Sequence, residues 1–201
     1  MYVLKQSAEI VSPFDLEYVL PHLERCGRTC YKSDNNDASK FISKIVKMGH
    51  ESVIEHFSVS VRIICNRAIS HQLVRHRMAS FSQESQRYVN YSKDKFGKGI
   101  TYIEPIKLNT DQLKLWKFNA IQNELAYFNM IELGCSPQQA REGLSNATKT
   151  EMVITANLRE WKHIFEQRTK GGADPMMKDL MIPLLEQFQE ILPEVFGEKE
   201  G

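Results

Sequence analysis

The sequence predicts a single folded domain that contains both helices and strands. Its 201 residues are enough to bury a core, and a hydrophobic fraction of 42% with a charged fraction of 25% is ordinary for a globular protein. Residues 57–65 alternate apolar and polar side chains over most of their length, as a strand with one buried face does. Residues 177–192 instead repeat apolar side chains at helical spacing. No repeat or low-complexity linker divides the chain, so one domain is expected over residues 1–201.

The first part of the chain carries start and stop signals for several elements. The predicted segments are a strand at 2–4, a helix that starts at Ser12-Pro13 and bends or breaks near Pro21, a helix at 38–48, a short helical turn at 52–55, the strand at 57–65 and a helix at 67–76. Pro13 suits the first position of a helix, and Gly49 suits the position just past the end of one. Ser52 and Glu55 have capping-box spacing, and Asn66 can cap the helix after the strand. Residues 34–37 are predicted as a polar loop.

The second part begins with a long loop rich in Ser and Gln, and residues 93–99 are expected to be flexible from their composition. The segments predicted after it are a helix at 111–133 closed by Gly134, a short helix from Ser136-Pro137, a strand at 152–155, a helix from Asn157 to about Arg168 and a last helix from Asp174-Pro175. The last helix has an apolar stripe that is either core or a subunit interface: Met177, Leu180, Met181, Leu184, Leu185, Phe188, Ile191 and Leu192.

The charge balance argues against a nucleic-acid-binding or membrane-binding protein. The chain has 26 basic and 25 acidic residues, and its net charge of +1 gives no overall attraction to a polyanion or an anionic bilayer. No apolar run approaches the roughly 20 residues that span a bilayer, and no secretory signal is visible. The four cysteines have no CxxC spacing, so reduced thiols in a cytoplasmic protein are expected.

The densest polar segment covers residues 75–88 and follows a predicted amphipathic helix. It combines Arg75, His76, Arg77 and Arg87 with several serines and glutamines. Arginine recognises phosphates and planar heterocycles through paired hydrogen bonds, and Ser and Gln side chains can read the edge of a base. A solvated basic loop is the alternative, although such a loop would favour Lys and Glu. The segment therefore indicates a nucleotide site without proving one.

A second polar group lies near the predicted helix that starts at Asn157. Arg159 and His163 are four residues apart and share a helical face, and Asn157 stands at the helix N-terminus, which favours anions. Arg141 and Arg168 belong to the same group. Surface charge with a capping histidine is the alternative interpretation.

A third group contains two histidines and two carboxylates within residues 50–56. The spacing His-x5-His does not place both rings on one helical face, as His-x3-His does. We therefore expect no metal site here, and a single histidine that contacts a ligand is the favoured interpretation.

Three motifs, in this order along the chain, resemble those of the flavin-dependent thymidylate synthases. Residues 49–57 resemble the family's G-H-x-S/T…E-H-F segment, and residues 75–87 fit its R-H-R-x-x-S-x-x-x-x-S-x-R signature. Residues 150–161 resemble its downstream segment. One departure is Ser145, which stands after Leu144 where the family usually has proline. The resemblance spans nearly the whole chain.

The resemblance implies two sets of ligand-binding positions. The flavin-binding positions are His50, Ser52, Arg75, His76, Arg77, Gln83, Asn157, Arg159 and His163. The dUMP-binding positions are Gln72, Arg75, Gln83, Ser85, Arg87, Arg141 and Arg168. Arg168 matches the catalytic arginine that engages the uracil ring near N3 and polarises it.

The resemblance also implies an activity and an assembly. The family fold is α+β, with a mixed sheet packed with helices, and it forms a homotetramer with FAD where subunits meet. The implied reaction methylates dUMP to dTMP, with 5,10-methylenetetrahydrofolate as carbon donor, FAD as hydride carrier and NADPH as reductant; tetrahydrofolate is the folate product. A same-fold enzyme that stops at 5-hydroxymethyl-dUMP is a close alternative. A nucleic-acid-binding module, which would need a wider basic surface with stacking aromatics, and a purely structural oligomer are alternatives from other classes.

Overall fold

A computed structural model describes residues 1–31, 37–93 and 97–197 of the chain. The strands are β1 (Tyr2–Leu4), β2 (Ser7–Ile10), β3 (Ser58–Asn66), β4 (Ser80–Gln83), β5 (Thr101–Ile103) and β6 (Lys149–Asn157). The α-helices are α1 (Leu16–Tyr31), α2 (Ala38–Lys47), α3 (Arg67–Leu73), α4 (Thr110–Glu132), α5 (Pro137–Ala140), α6 (Leu158–Thr169), α7 (Pro175–Ile191) and α8 (Pro193–Phe196). Short 3₁₀ helices cover Glu51–His56 and Arg141–Gly143. Most of the predicted polar loop at 34–37 and the middle of the segment 93–99 lie outside the described residues.

The strands form two sheets, which confirms the predicted α+β class. One sheet has the strand order β2-β3-β6-β4. The other pairs β1 with β5 in parallel, with Tyr2 opposite Thr101 and Leu4 opposite Ile103. Among the described residues, no helix is both long enough and apolar enough to cross a membrane.

The chain separates into two compact units, and β3 and β6 each continue from one unit into the other. The α4 unit comprises Met1–Ser7, Ile63–Arg75 and Ser82–Met152. The α6 unit comprises Ala8–Arg62, His76–Phe81 and Val153–Gly201. A single domain over residues 1–201 stays a prediction.

The core of the α4 unit is built on aromatic side chains. Its buried cluster contains Tyr91, Ile100, Tyr102, Ala120, Tyr127 and Ala140. Glu124 is buried beside them and accepts a hydrogen bond from the backbone N–H of Ile100 at 2.8 Å. The opposite face of α4 is apolar but exposed, and it carries Leu115, Phe118, Ile121 and Leu125.

The core of the α6 unit forms around the helices α6 and α7. The ring of Phe188 lies 5.4 Å from that of Trp161 and 5.1 Å from those of Phe165 and Phe196, measured between ring centroids. The indole N–H of Trp161 donates to the Val59 carbonyl at 3.0 Å. The buried members of the last helix's apolar stripe are Met177, Leu180, Met181, Leu184, Phe188 and Leu192. The stripe is therefore core of this unit.

Most predicted caps are confirmed. The side chain of Asn66 accepts from the N–H of Ile69, and that of Asp174 accepts from Met176. Gly49 and Gly134 follow the ends of α2 and α4 with φ of 80° and 88°, a backbone region that favours glycine. The predicted short turn is a 3₁₀ helix that begins one residue early, at Glu51, so Ser52 lies inside it and is not its cap.

The predicted start of the first helix was wrong. The Ser12 hydroxyl accepts a hydrogen bond from the N–H of Ser60 at 2.9 Å, so it is not available to cap a helix. Asp15 caps instead, with its carboxylate accepting from Glu17 at 3.0 Å, and α1 begins at Leu16 and runs without a break through Pro21.

Other errors concern strands and lengths. The short strands β2, β4 and β5 were not predicted, β6 extends well beyond residues 152–155, and α3 ends at Leu73 rather than at residue 76. The sequence of β4 is polar and does not alternate with apolar residues. The reason is that β4 is an edge strand whose side chains are at most half-buried.

Candidate active site

Helix α6 buries one face and exposes a polar one. Leu158, Trp161, Ile164 and Phe165 are buried in the core of the unit. At the start of the helix the Asn157 side chain accepts from the N–H of Glu160 at 2.9 Å, as its capping position predicts. The exposed face carries Arg159, His163, Glu166 and Gln167, and His163 contacts Gln167 at 2.9 Å. Because its buried face is packed in the core, helix α6 holds these charged side chains in defined positions.

Carboxylates of the 3₁₀ helix pair with the cations of α6. Glu55 accepts from the Arg159 guanidinium at 2.5 Å, and Glu51 lies 3.6 Å from the same guanidinium. Lys162 forms a close ion pair with Glu51. These pairs fix the direction of Arg159 even though 53% of its side chain is exposed.

These side chains line a pocket of about 450 Å³ within the α6 unit. Its walls are Glu51, Glu55, Met78, Asn157, Arg159, Glu160, Lys162, His163 and Glu166. Three predicted flavin positions, Asn157, Arg159 and His163, are thereby brought together. The N-terminus of α6, Arg159 and Lys162 can attract an anionic group such as a cofactor phosphate, but four carboxylates line the same pocket, so such a group would have to replace Glu51 or Glu55 as the partner of these cations.

His76 stands at the centre of a buried polar cluster in the same unit. Only 4% of the residue is exposed. Its Nε2 accepts a hydrogen bond from Nε of Arg168 at 2.9 Å, and its Nδ1 lies 3.5 Å from a carboxylate oxygen of Glu160. The His163 ring meets it edge to face at 5.8 Å between centroids.

Burial controls the ionisation of this cluster. It lowers the pKa of His76 to about 4, and the charges of Arg168 and His163 act in the same direction. Burial also raises the pKa of the Glu160 carboxyl, against the effect of His163, and lowers the pKa of Arg168. His76 is therefore neutral near pH 7, and because its Nε2 accepts from Arg168, its proton resides on Nδ1, which faces Glu160.

In the α4 unit, Gln83 is the most firmly held of the predicted positions. Its Nε2 donates to the hydroxyls of Ser70 at 3.0 Å and Thr150 at 3.1 Å. Ser70 and Thr150 are almost fully buried, at 0% and 1% exposed. The Arg67 guanidinium also donates to the Thr150 hydroxyl at 3.4 Å.

The remaining arginines of the α4 unit are held more loosely. Arg87 donates from Nε to the side-chain carbonyl of Gln138 at 3.1 Å, and its guanidinium lies 5.7 Å from the ring centroid of Tyr88. The Ser85 hydroxyl accepts from the backbone N–H of Arg87 at 3.3 Å. Arg141 is half-buried at the C-terminal end of α5 and lies 3.7 Å from Glu142. All three predicted positions thus lie on loops or helix ends of this unit.

The other predicted positions fall at the ends of elements. Gln72 lies in α3, and Arg75 follows that helix as an exposed residue. Arg77 is exposed in the turn before β4, and within the described chain its guanidinium and that of Arg75 have no hydrogen-bond or ion-pair partner. His50 and Ser52 are both exposed at the start of the 3₁₀ helix. Two guanidinium groups are therefore open to a ligand.

A larger cavity of about 830 Å³ also lies within the α6 unit. It is lined by α2, α6 and α8, and it includes Lys47, Lys170 and Glu194. No predicted ligand-binding residue lines it, so its size alone does not make it the active site.

A family model described as thymidylate synthase complementing protein matches residues 20–194. The chain belongs to this family. The flavin-dependent thymidylate synthase of Pyrococcus horikoshii is 34% identical over 174 residues, which cover 85% of this chain and 72% of the relative. Those of Pyrococcus furiosus and Geobacter sulfurreducens are 35% and 34% identical, covering 76% and 82% of this chain and 63% and 71% of the relatives.

Membership of the thymidylate synthase complementing protein family confirms the predicted resemblance and, with it, the prediction of an enzyme. In the described ranges, no group of three or more His, Cys, Asp or Glu side chains is arranged to hold a metal ion. The four cysteines carry free thiols. The individual ligand roles predicted for the residues above stay predictions.

Several residues of this family member were not recognised from sequence. Glu51 and Glu55 were weighed as metal ligands, and Glu55 also for its capping-box spacing, whereas the structure pairs them with Arg159 and Lys162. A signal existed, because the two carboxylates and the two cations each have helical spacing and opposite charge. The approach of Glu160 to His76 was not predicted either, because no local pattern marks it.

Proposed function

We propose that this chain catalyses the reductive methylation of dUMP to dTMP, with 5,10-methylenetetrahydrofolate as carbon donor and NADPH as reductant. The observation that carries the proposal is the hydrogen bond between Arg168 and the buried, neutral His76 of the family signature. It ties the predicted uracil-binding arginine to the predicted flavin-binding segment. The similarity to flavin-dependent thymidylate synthases supports the reaction class.

Arg168 is the proposed catalytic residue. Carbon C5 of uracil is a poor nucleophile, and a fixed cation near N3 stabilises negative charge that develops on the ring. An arginine stays charged at neutral pH even when burial lowers its pKa. The hydrogen bond to His76 holds the guanidinium in one orientation, so little reorganisation is needed during the reaction.

FAD is the proposed cofactor, and it supplies the hydride that completes the methyl group. The cations and the helix N-terminus of the 450 Å³ pocket support binding of an anionic part of this cofactor, which would replace the carboxylates of Glu51 and Glu55 as their partner. Arg159 and Lys162 supply positive charge, and Asn157 opens a helix whose free N–H groups favour anions. The exposed Arg77 is a further proposed contact.

A homotetramer with sites between subunits is proposed as the active assembly. The exposed apolar face of α4 supports it, since Leu115, Phe118 and Leu125 are 61%, 56% and 51% exposed. Contiguous apolar surface of this kind marks interaction sites. This replaces the last helix as the interface candidate, because that helix's stripe is core. A cytoplasmic location stays a prediction.

Product analysis tests the proposed function. The FAD-saturated protein is incubated with dUMP, methylenetetrahydrofolate and NADPH, and the nucleotide is identified by mass spectrometry. dTMP is expected, whereas 5-hydroxymethyl-dUMP would identify the same-fold alternative. A purified protein that neither absorbs as a flavoprotein nor binds added FAD would contradict the proposal and favour a binding module.

A further inference from the structure

The hydrogen bonds around Gln83 determine which way its amide faces. The Ser70 hydroxyl donates to the Arg67 carbonyl at 3.0 Å. A hydroxyl has a single hydrogen, so toward Gln83 the Ser70 oxygen can only accept. The amide nitrogen must therefore be the group that faces Ser70, which agrees with the distance of 3.0 Å. The assignment of nitrogen and oxygen in this side chain thus follows from its surroundings.

The same network uses both hydrogens of the amide. One goes to Ser70 and the other to Thr150, and both partners are buried. The amide oxygen has no hydrogen-bond partner among the described residues, and Gln83 is half-buried. What Gln83 offers to a ligand is consequently a carbonyl oxygen, which accepts hydrogen bonds and cannot donate them.

We propose that Ser70 and Thr150 are positioning residues that make Gln83 a hydrogen-bond acceptor for the substrate nucleotide. This inference rests on the proposed function. Most of the predicted dUMP positions, including Gln72, Arg75 and Arg87, belong to the same unit as Gln83, which favours the nucleotide over the cofactor as its partner. The group recognised is a donor, either the N3–H of the uracil base or the 3′-hydroxyl of the sugar. A ligand without that donor leaves the Gln83 carbonyl unpaired.

The test compares dUMP with two analogues, one methylated at N3 and one lacking the 3′-hydroxyl. Dissociation constants are measured calorimetrically with the FAD-saturated protein. One analogue should bind at least about tenfold more weakly than dUMP, because its binding leaves a polar group unsatisfied, and the identity of that analogue names the donor.

Variants then separate positioning from mere structural support. In Ser70→Ala with Thr150→Val nothing holds the amide in place, so its carbonyl can turn away from an analogue that lacks the donor. The ratio of that analogue's dissociation constant to that of dUMP should then fall to within about twofold. Adding Gln83→Glu should restore it, because a carboxylate accepts hydrogen bonds in either orientation. Thr150→Val alone nearly preserves the side-chain volume and removes one of the two hydroxyl partners. It should lower the ratio to an intermediate value, and it replaces the double variant in the test if the double variant does not fold.

The outcomes distinguish this inference from the proposed function. A wild-type protein that binds dUMP and both analogues equally overturns the inference alone. So does a ratio that is unchanged in the variants, or a loss of dUMP binding that Gln83→Glu does not rescue. Failure of the wild-type protein to bind dUMP at all overturns the proposed function, and the inference falls with it.

Discussion

The two compact units hold their predicted ligand-binding residues by different means. The α4 unit contains every predicted dUMP position except Arg168, and the α6 unit contains every predicted flavin position except Arg75 and Gln83. In the α4 unit the best-held residue, Gln83, is fixed by two buried neutral hydroxyls. In the α6 unit Arg159 is instead fixed by a carboxylate, that of Glu55.

This difference has consequences for binding. Water screens exposed ion pairs, so an incoming anion can replace Glu55 as the partner of Arg159 at small cost. Breaking a buried amide–hydroxyl network leaves unsatisfied groups that cost about 1–3 kcal/mol each. We therefore expect the α6 unit to exchange its own carboxylates for an anionic ligand, and the α4 unit to select a ligand by the direction of its hydrogen bonds.

The largest expected effect comes from the one proposed dUMP residue that lies in the α6 unit. Arg168→Ala should lower the rate of dTMP formation by about 10²–10³-fold, because it removes the cation that stabilises charge on the uracil ring. Flavin absorbance after gel filtration should be retained. Arg168→Lys keeps the charge but not the planar guanidinium, so its rate of dTMP formation should lie between those of the wild-type protein and Arg168→Ala. A variant that loses flavin yet turns over dUMP at a near-normal rate would contradict the assignment.

A second test concerns the buried histidine beside Arg168. Because the pKa of His76 is lowered from 6.5 to about 4, the unfolded state binds more protons between these values. Its neutral form thus contributes stability above pH 6.5 that is lost as the pH falls toward 4, by about 3 kcal/mol at most. In His76→Gln, the free energy of unfolding measured by urea titration should no longer fall between pH 6.5 and 4 on account of this residue.

The groups that face His76 are Arg168, His163 and Glu160. The raised pKa of Glu160 works in the opposite sense, stabilising the fold as its carboxyl becomes protonated. The comparison is therefore repeated in a Glu160→Gln background, where the loss of stability in acid should be steeper. An identical pH dependence with and without His76 would show that the histidine is not held neutral.

Sequence alone predicted features that depend on neighbouring residues. Asn66 and Asn157 cap the helices that directly follow them, and the alternation of Val59, Val61 and Ile63 marks a strand because every second side chain is buried. For the caps and the strand, the physical cause lies within a few residues of the signal. The positions of His76 and Arg168 came instead from the family resemblance, and their ligand roles stay predictions.

The rest depended on contacts between distant segments. Glu55 and Arg159 are 104 positions apart, and Gln83 and Thr150 are 67 apart. Nothing local distinguishes Ser70 or Thr150 from other buried hydroxyl residues. The strand β4 was missed because Ser80, Ser82 and Gln83 are polar, although a strand is what carries Gln83 to its partners.

A third, smaller effect tests whether the exposed face of α4 is a subunit interface. Phe118→Asp should raise the dissociation constant of each subunit interface about 10- to 100-fold, because burial of a phenylalanine side chain contributes about 1.5–3 kcal/mol. Light scattering should then report smaller species. Asn119→Asp, which adds the same charge at the next position of the helix, is the matched control and should leave the assembly intact. If flavin sites lie between subunits, Phe118→Asp also loses flavin; an active monomer would refute the tetramer.

The smallest expected effect on activity comes from replacing the cysteines. Cys26 and Cys30 lie in the α6 unit and Cys65 and Cys135 in the α4 unit, so their replacement tests whether either unit supplies a nucleophile. Folate-only thymidylate synthases of the unrelated class attack uracil with a thiolate, and in this chain no cysteine lies inside a family motif. Cys65 of the α4 unit is fully buried on the same strand face as Val59, Val61 and Ile63, and burial raises the pKa of its thiol to about 12 despite the nearby Arg67. It is therefore a neutral thiol near pH 7 and packs as a small apolar side chain.

Ser85 is the other candidate nucleophile of that unit, but a serine needs an adjacent base to attack. Its hydroxyl accepts from the backbone of Arg87 and has no base beside it among the described partners. Single replacements of Cys26, Cys30, Cys65 and Cys135 by Ala should keep dTMP formation within about twofold when flavin loading is equal, since none of them reacts. Ser85→Ala should chiefly weaken dUMP binding. Mass spectrometry of the protein during turnover gives the decisive measurement. A covalent nucleotide adduct that disappears together with activity in one of these variants would mean that the replaced side chain is a nucleophile, and the position of that residue would name the unit that supplies it.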